Sequence, residues 1–158
     1  MSAIQERPNT FPWPPLVSVS AVALAIVLHW LIPLPWLSGP ISELLFAVGW
    51  LVVGASVAMV IAALRALHRS GTASSPIHGA SHLVTTGPFS FTRNPIYLGA
   101  VTTMLGLGLI SGILWFLLLA PITGFVVQKL AVEREERHLE TRFGKKWRDY
   151  AKKVRRWI

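Results

Sequence analysis

The chain has no cysteine. That excludes disulfides, a thiolate nucleophile and a zinc–thiolate centre. Charge is scarce as well: 14% of the 158 residues are Asp, Glu, Lys or Arg, where soluble domains carry about 25%. Acids are the scarcest, seven against fifteen Lys and Arg, for a formal net charge of +8. In place of charge stand apolar residues, 53% of the chain, above the ~45–50% of soluble domains. These shortages exclude an ordinary soluble domain. They point to one membrane domain, since the length allows a single domain of roughly 100–200 residues.

The charges are missing in blocks. None lies between Arg7 and Glu43, between Glu43 and Arg65, or between Arg93 and Lys129. Each interval exceeds the ~20 residues that cross a ~30 Å hydrocarbon layer as a helix. Residues 1–15 are polar and Pro-rich, with Trp13 placed to sit at the interface before a first span. The late apolar start, with Arg7 beside Glu6, argues against a cleaved signal peptide. A first span is expected over 16–31, closed by the turn-forming Pro33, Pro35, Gly39 and Pro40. A second is expected over 44–64, with Arg65, His68 and Arg69 as its basic flank. Residues 70–92 are too rich in Gly, Ser, Thr, His and Pro to cross lipid, and such loops on rigid scaffolds are where chemistry tends to sit.

Residues 94–128 form an uncharged block of 35, about 53 Å long as one helix at 1.5 Å per residue. That overshoots a bilayer, and Ser111-Gly112 offers a turn, which predicts a helical hairpin of two short spans. The hairpin keeps Arg65, Arg69, Arg93 and the basic C-terminal region on one side, as the positive-inside rule requires. The expected fold is therefore an all-α integral membrane protein with four transmembrane helices, the last two a hairpin, followed by C-terminal cytosolic or interfacial helices. Both termini are expected in the cytosol, at the cytoplasmic membrane. The organisation is a single domain, 1–158: an N-terminal segment (1–15), two spans (16–67), a loop (68–93), the hairpin (94–131) and basic C-terminal helices (132–158).

Eleven of the fifteen Lys and Arg lie from Lys129 onward, interleaved with five acids. A mixed tail that follows apolar spans suits an anionic membrane surface, and nothing in it matches a nucleic-acid module. Residues 129–142 read as a charged continuation of the last span. Beyond Gly144, Trp147, Tyr150 and Val154 recur every three or four residues, continuing Leu139 and Phe143. This spacing predicts a helix at the interface with its basic face toward lipid headgroups.

Two clusters carry the residues suited to chemistry. One runs from His82-Leu83-Val84-Thr85-Thr86-Gly87-Pro88-Phe89 to Arg93-Asn94-Pro95-Ile96-Tyr97; the other holds Arg134-Glu135-Glu136, Leu139, Phe143-Gly144, Trp147, Tyr150 and Val154. The first is a polar loop entering a helix at Pro95, a favoured first helical position. The second sets two carboxylates where the last helix leaves the membrane. An Arg and carboxylates at that boundary are costly unless paired or ligand-bound, a combination that suits a charged small ligand. No His spacing suggests a metal pair, and no metal is expected.

These residues resemble the integral-membrane S-adenosylmethionine-dependent methyltransferases, a family that includes isoprenylcysteine carboxyl methyltransferases and phospholipid N-methyltransferases. The matching positions are Leu83 to Phe89, Arg93, Pro95 and Tyr97, then Glu135-Glu136, Leu139, Phe143-Gly144, Tyr150 and Val154. Asn94 stands where the family has His, and Trp147 replaces the first Tyr of the tail motif. The resemblance covers about residues 78–156. It implies S-adenosylmethionine as cofactor, with His82, Leu83, Val84, Gly87, Pro88, Asn94, Pro95, Tyr97, Glu135 and Glu136 in cofactor binding. Glu135 or Glu136 would accept from the cofactor's amino group, backbone N–H groups near Gly87 would meet its carboxylate, and His82 with Tyr97 would position the remainder. Arg93 would be the catalytic residue, orienting the anionic group of the acceptor. The acceptor would be lipophilic, an isoprenylcysteine-like carboxylate, a phospholipid amine or a small thiol, entering sideways from the bilayer.

Each residue also has a plainer role. Glu135 and Glu136 fit a solvated, salt-bridged helix face, Arg93 a snorkelling anchor, Tyr97 an interfacial aromatic, His82 an ordinary loop residue, and Gly87-Pro88 a turn. Two other classes follow: a non-catalytic membrane adaptor using its basic tail, and a nicotinamide-dependent enzyme like the sterol reductases, which have many more spans.

Overall fold

A computed structural model describes residues 13–71 and 81–158. The N-terminal segment before Trp13 and the middle of the polar loop, 72–80, lie outside the described residues. The chain is helical: α1 (Trp13–Leu31), α2 (Pro40–Arg69), a 3₁₀ turn (Gly87–Ser90), α3 (Pro95–Ser111), α4 (Leu114–Val127), a π-helical turn (Gln128–Val132), α5 (Glu133–Phe143) and α6 (Lys145–Lys153). Among the described residues no β-strand forms.

The helix boundaries follow the backbone chemistry of Pro and Gly. α1 begins before its expected start, because Pro14 and Pro15 occupy its first turn, where the missing N–H groups have no helical partner in any case. Pro40 likewise opens α2 rather than belonging to the preceding connection. The expected hairpin forms at Ser111-Gly112. Gly112 adopts φ +70° and closes α3 with its N–H on the Gly108 carbonyl at 3.0 Å. A side chain there would also meet the Trp36 ring.

Three helices are long and apolar enough to cross a membrane: α1, α2, and α4 together with its continuation to Phe143. α3 is a shorter apolar helix of 17 residues, about 26 Å long. The helices run antiparallel to their neighbours, with α2 against α3, α3 against α4 and α4 against α1. Consequently Trp13, the C-terminal end of α2, Pro95 and the π-helical turn share one end of the bundle.

In lipid, burial of apolar surface does not drive helices together, so close packing and hydrogen bonds must do so. Gly49, Gly99 and Gly106 bring α2 and α3 into backbone contact, and Gly108 seats Leu117 of α4. Gly54 departs from this pattern and faces open space. Ser56 and Thr102 share a 2.7 Å hydrogen bond across the α2–α3 seam. Ala25, Met104, Phe116 and Ala120 form the core where α1, α3 and α4 meet.

Candidate active site

The first cluster enters the site as a braced loop. Gly87 takes φ +62°, a left-handed conformation that favours glycine, and Pro88 follows in the 3₁₀ turn. Tyr150 of α6 donates its hydroxyl to the Phe89 carbonyl at 2.7 Å. Burial pushes the Tyr150 phenol up to about 12, with Arg93 opposing and Glu136 adding to the shift, so it stays protonated and donates at neutral pH. Leu83 packs against Trp147, Tyr150 and Val154 together with Leu139, Phe143 and Ala151. The apolar face of α6 is thus covered by the chain's own loop, while Lys152, Lys153 and Arg155 remain exposed. Tyr150→Phe is expected to lower stability by about 1–2 kcal/mol, because it leaves a carbonyl unsatisfied. Thermal unfolding in detergent would measure this, with faster amide exchange expected around Phe89 and Phe91.

The next residues clasp the chain's last turn. The Arg93 N–H donates to the Arg155 carbonyl at 3.0 Å. The Arg156 carbonyl accepts from Asn94 Nδ2 at 2.9 Å and from Thr92 Oγ1 at 3.2 Å. Asn94, expected at the cofactor, therefore holds the C-terminal segment in place. Pro95 then opens α3 and is buried.

The second cluster reaches the same place through the π-helical turn. Such turns insert one extra residue into a helix and often mark functional sites. Here the turn is held by Gln128, whose Oε1 accepts from Trp157 Nε1 at 2.7 Å, and by Lys129, which bridges to Glu133 at 2.6 Å. The two adjacent acids beyond it face different ways. Glu135 Oε1 accepts from Tyr97 Oη at 2.5 Å, which ties α5 to α3. Glu136 faces Arg93 and Arg156. Its oxygens accept from Arg156 Nε at 3.1 and 3.2 Å and from Nη2 at 2.6 Å, and Arg93 Nη2 lies 3.4 Å away. The Glu136 bond holds the Arg156 guanidinium above its ordinary pKa.

Around Glu136 opens a cavity of about 530 Å³, within the range of small-molecule sites, roughly 300–1,000 Å³. Arg93, Arg137, Arg148, Lys152 and Arg156 line it, with Glu133, Glu136 and Glu140 between them and Trp147 forming a wall. The Arg93 guanidinium lies 5.6 Å from the Trp147 ring centre, a cation–π distance. Its Nε is buried with no hydrogen-bond partner among the described residues. Of the expected site residues, Arg93 and Glu136 line this cavity. Val84, Pro88, Asn94 and Pro95 are buried in the loop and helix entry that frame it, Gly87 is at the exposed turn, and His82 is exposed. Sequence reasoning missed Arg156, Gln128 and Trp157. Arg156 has no local mark, since it sits in a basic run indistinguishable from a membrane flank.

A second concavity is apolar. It is a groove of about 330 Å³ between α1 and α4, lined by Trp13, Leu16, Leu24, Leu119, Ile122 and Val126 among others. Trp13 and Val126 in its lining lie at the end of the bundle that carries the charged cavity. Among the described residues, no group of three or more His, Asp or Glu is placed to hold a metal ion.

A helical membrane bundle with a charged cavity at one end defines a class, and comparison with known proteins supplies the family. The sequence profile of the phospholipid methyltransferase family matches residues 44–146, and the chain belongs to that family. It is also 33% identical over 142 residues to a nickel-cobalt-cadmium resistance protein, NccN, of Alcaligenes xylosoxydans xylosoxydans. That match takes in 90% of this chain, and the chain spans 60% of the length of that relative. No solved structure matches.

Proposed function

We propose that the protein is an integral-membrane methyltransferase that moves a methyl group from S-adenosylmethionine to a lipophilic acceptor. The observation that carries this reading is the cavity of Arg93, Glu136 and Trp147 at the end of the bundle where the family's two motifs converge. The residues present fit the cofactor. Its amino-acid part is a zwitterion, and the cavity offers carboxylates and guanidiniums side by side. When bound, S-adenosylmethionine supplies a methyl carbon that an acceptor lone pair attacks in line as the carbon–sulfur bond breaks.

The chain's own contribution is to bind, orient and exclude water. Glu136 takes a cationic group of the cofactor. Arg93, held over Trp147 with one buried N–H unused, orients an anionic group of the acceptor. Tyr97 and Glu135 lock α3 to α5 and so fix the acids relative to the loop. Holding reactants near contact in a dry site is the main source of rate for such a displacement. The groove between α1 and α4 serves an apolar acceptor chain arriving from the bilayer. In this reading α3 crosses the membrane as a fourth span between α2 and α4, and both termini face the cytosol.

Calorimetry on the full chain in detergent tests the proposal: S-adenosylmethionine or its demethylated product should bind, and absence of binding would overturn it. A non-catalytic adaptor instead predicts that Glu135 and Glu136 are replaceable, while charge reversal at Lys152, Lys153, Arg155 and Arg156 abolishes function. Incubating membranes with labelled cofactor would identify the acceptor as a labelled lipid-soluble product.

A further inference from the structure

The carboxylate best placed to meet a cationic ligand already holds a cation. Both oxygens of Glu136 accept from Arg156, and Arg93 closes on one of them at 3.4 Å. The two guanidiniums are not equivalent. The Arg93 side chain is 14% exposed and is packed against Trp147. That of Arg156 is 32% exposed, and its Nη1 already lies 3.9 Å from Glu133, a second acid of the same cavity.

The backbone of this segment is fixed independently of the Arg156 side chain. Thr92 and Asn94 hold the Arg156 carbonyl, Arg93 holds that of Arg155, and Trp157 is tied to Gln128. The guanidinium can therefore swing from Glu136 toward Glu133 and solvent while the segment stays docked. Arg93, less exposed and packed on Trp147, is the more firmly held of the two.

We propose that Arg156 is a specificity-determining gate on this cavity: it occupies Glu136 with the chain's own cation, and a ligand enters fully when it brings a positive charge to take that place. An uncharged ligand leaves the Arg156–Glu136 pair intact. The gate rests on the reading of the cavity as the cofactor site, and the probes are chosen accordingly. S-adenosylhomocysteine carries an ammonium group; 5′-methylthioadenosine shares the nucleoside and thioether but lacks the amino-acid part and is uncharged.

Calorimetry on the full chain in detergent provides the test. Removing the internal competitor in Arg156→Gln should tighten S-adenosylhomocysteine binding roughly five- to tenfold, since the binding-competent state no longer has to be released first. Arg156→Lys, which keeps a cation beside Glu136, should return the affinity toward that of the unmodified protein. Methylthioadenosine affinity should not change in either variant. Equal weakening of both probes in Arg156→Gln would make Arg156 a structural clasp. Weakening of S-adenosylhomocysteine alone would make it a clamp for the ligand's carboxylate. Either result, or unchanged affinity, overturns the gate. Failure of the unmodified protein to bind either probe would instead overturn the cofactor reading, and the gate with it.

A second measurement uses the unmodified protein and needs no folded variant. On saturation with S-adenosylhomocysteine, the ¹⁵N resonance of Arg156 Nε should shift as its bonds to Glu136 break, while the Trp157 indole resonance stays in place. An Arg156 resonance that does not move would overturn the proposal.

Discussion

Glu136→Ala is expected to weaken S-adenosylhomocysteine binding by about a hundredfold and to lower stability by about 3 kcal/mol. The two losses have different origins. On the proposed reading, the carboxylate is the partner of the ligand's cationic group, and a charge-assisted hydrogen bond lost in a partly dry cavity accounts for the affinity. The stability loss comes from the guanidiniums left behind. Arg93 is mostly buried, has one N–H without a partner among the described residues and faces Glu136 at 3.4 Å. Stripping a partner from such a group is far costlier than replacing the whole pair by apolar residues. The figure stands at the low end of the buried-pair range because Arg156, at 32% exposed, can turn to Glu133 or water. Glu136→Gln separates the two effects. It keeps the shape and an acceptor oxygen, so the stability loss should shrink to about 1 kcal/mol while most of the binding loss remains. Calorimetry and thermal unfolding in detergent measure both, and binding that survives Glu136→Ala would remove this residue from the ligand site.

Gly49→Ala is expected to loosen the bundle itself, at a cost of about 1–3 kcal/mol. A Cβ at this position would stand 2.8 Å from Ile110 Cγ1 and 2.9 Å from the Gly106 carbonyl oxygen. The side chain could rotate away, but the carbonyl belongs to α3 and cannot move without parting the helices. Gly99→Ala meets the same difficulty against Val60 and the Ser56 carbonyl. Parting α2 from α3 would also stretch the Ser56–Thr102 hydrogen bond and shift Pro95 and Tyr97 at the head of α3, so ligand affinity should fall with stability. Gly54→Ala is the control. None of the described residues comes within 4 Å of its added methyl, and the gain in helix propensity, up to about 1 kcal/mol, should leave the protein as stable or slightly more so. Denaturant unfolding of the three variants in one detergent tests the contrast; equal behaviour would show that α2 and α3 do not pack through these glycines.

The sequence alone determined that the chain is a helical membrane protein, that Ser111-Gly112 turns a hairpin, and that the loop before Pro95 and the acids after the last apolar block sit at the same end of it. Those features are local. Uncharged runs, a glycine in the left-handed region and a proline at a helix start act through solvation and backbone sterics within a few residues. Tertiary structure alone decided the use of the charges. Adjacent residues on a helix point about 100° apart, so Glu135 went to Tyr97 and Glu136 into the cavity, with the π-helical turn setting the rotation of α5. Asn94 and Arg156 meet although 62 positions separate them, because the break at Gly144 folds α6 back over the loop. No local propensity carries that pairing: a guanidinium that snorkels to lipid and one that seals a cavity have the same side chain, and only the position of the nearest carboxylate separates them.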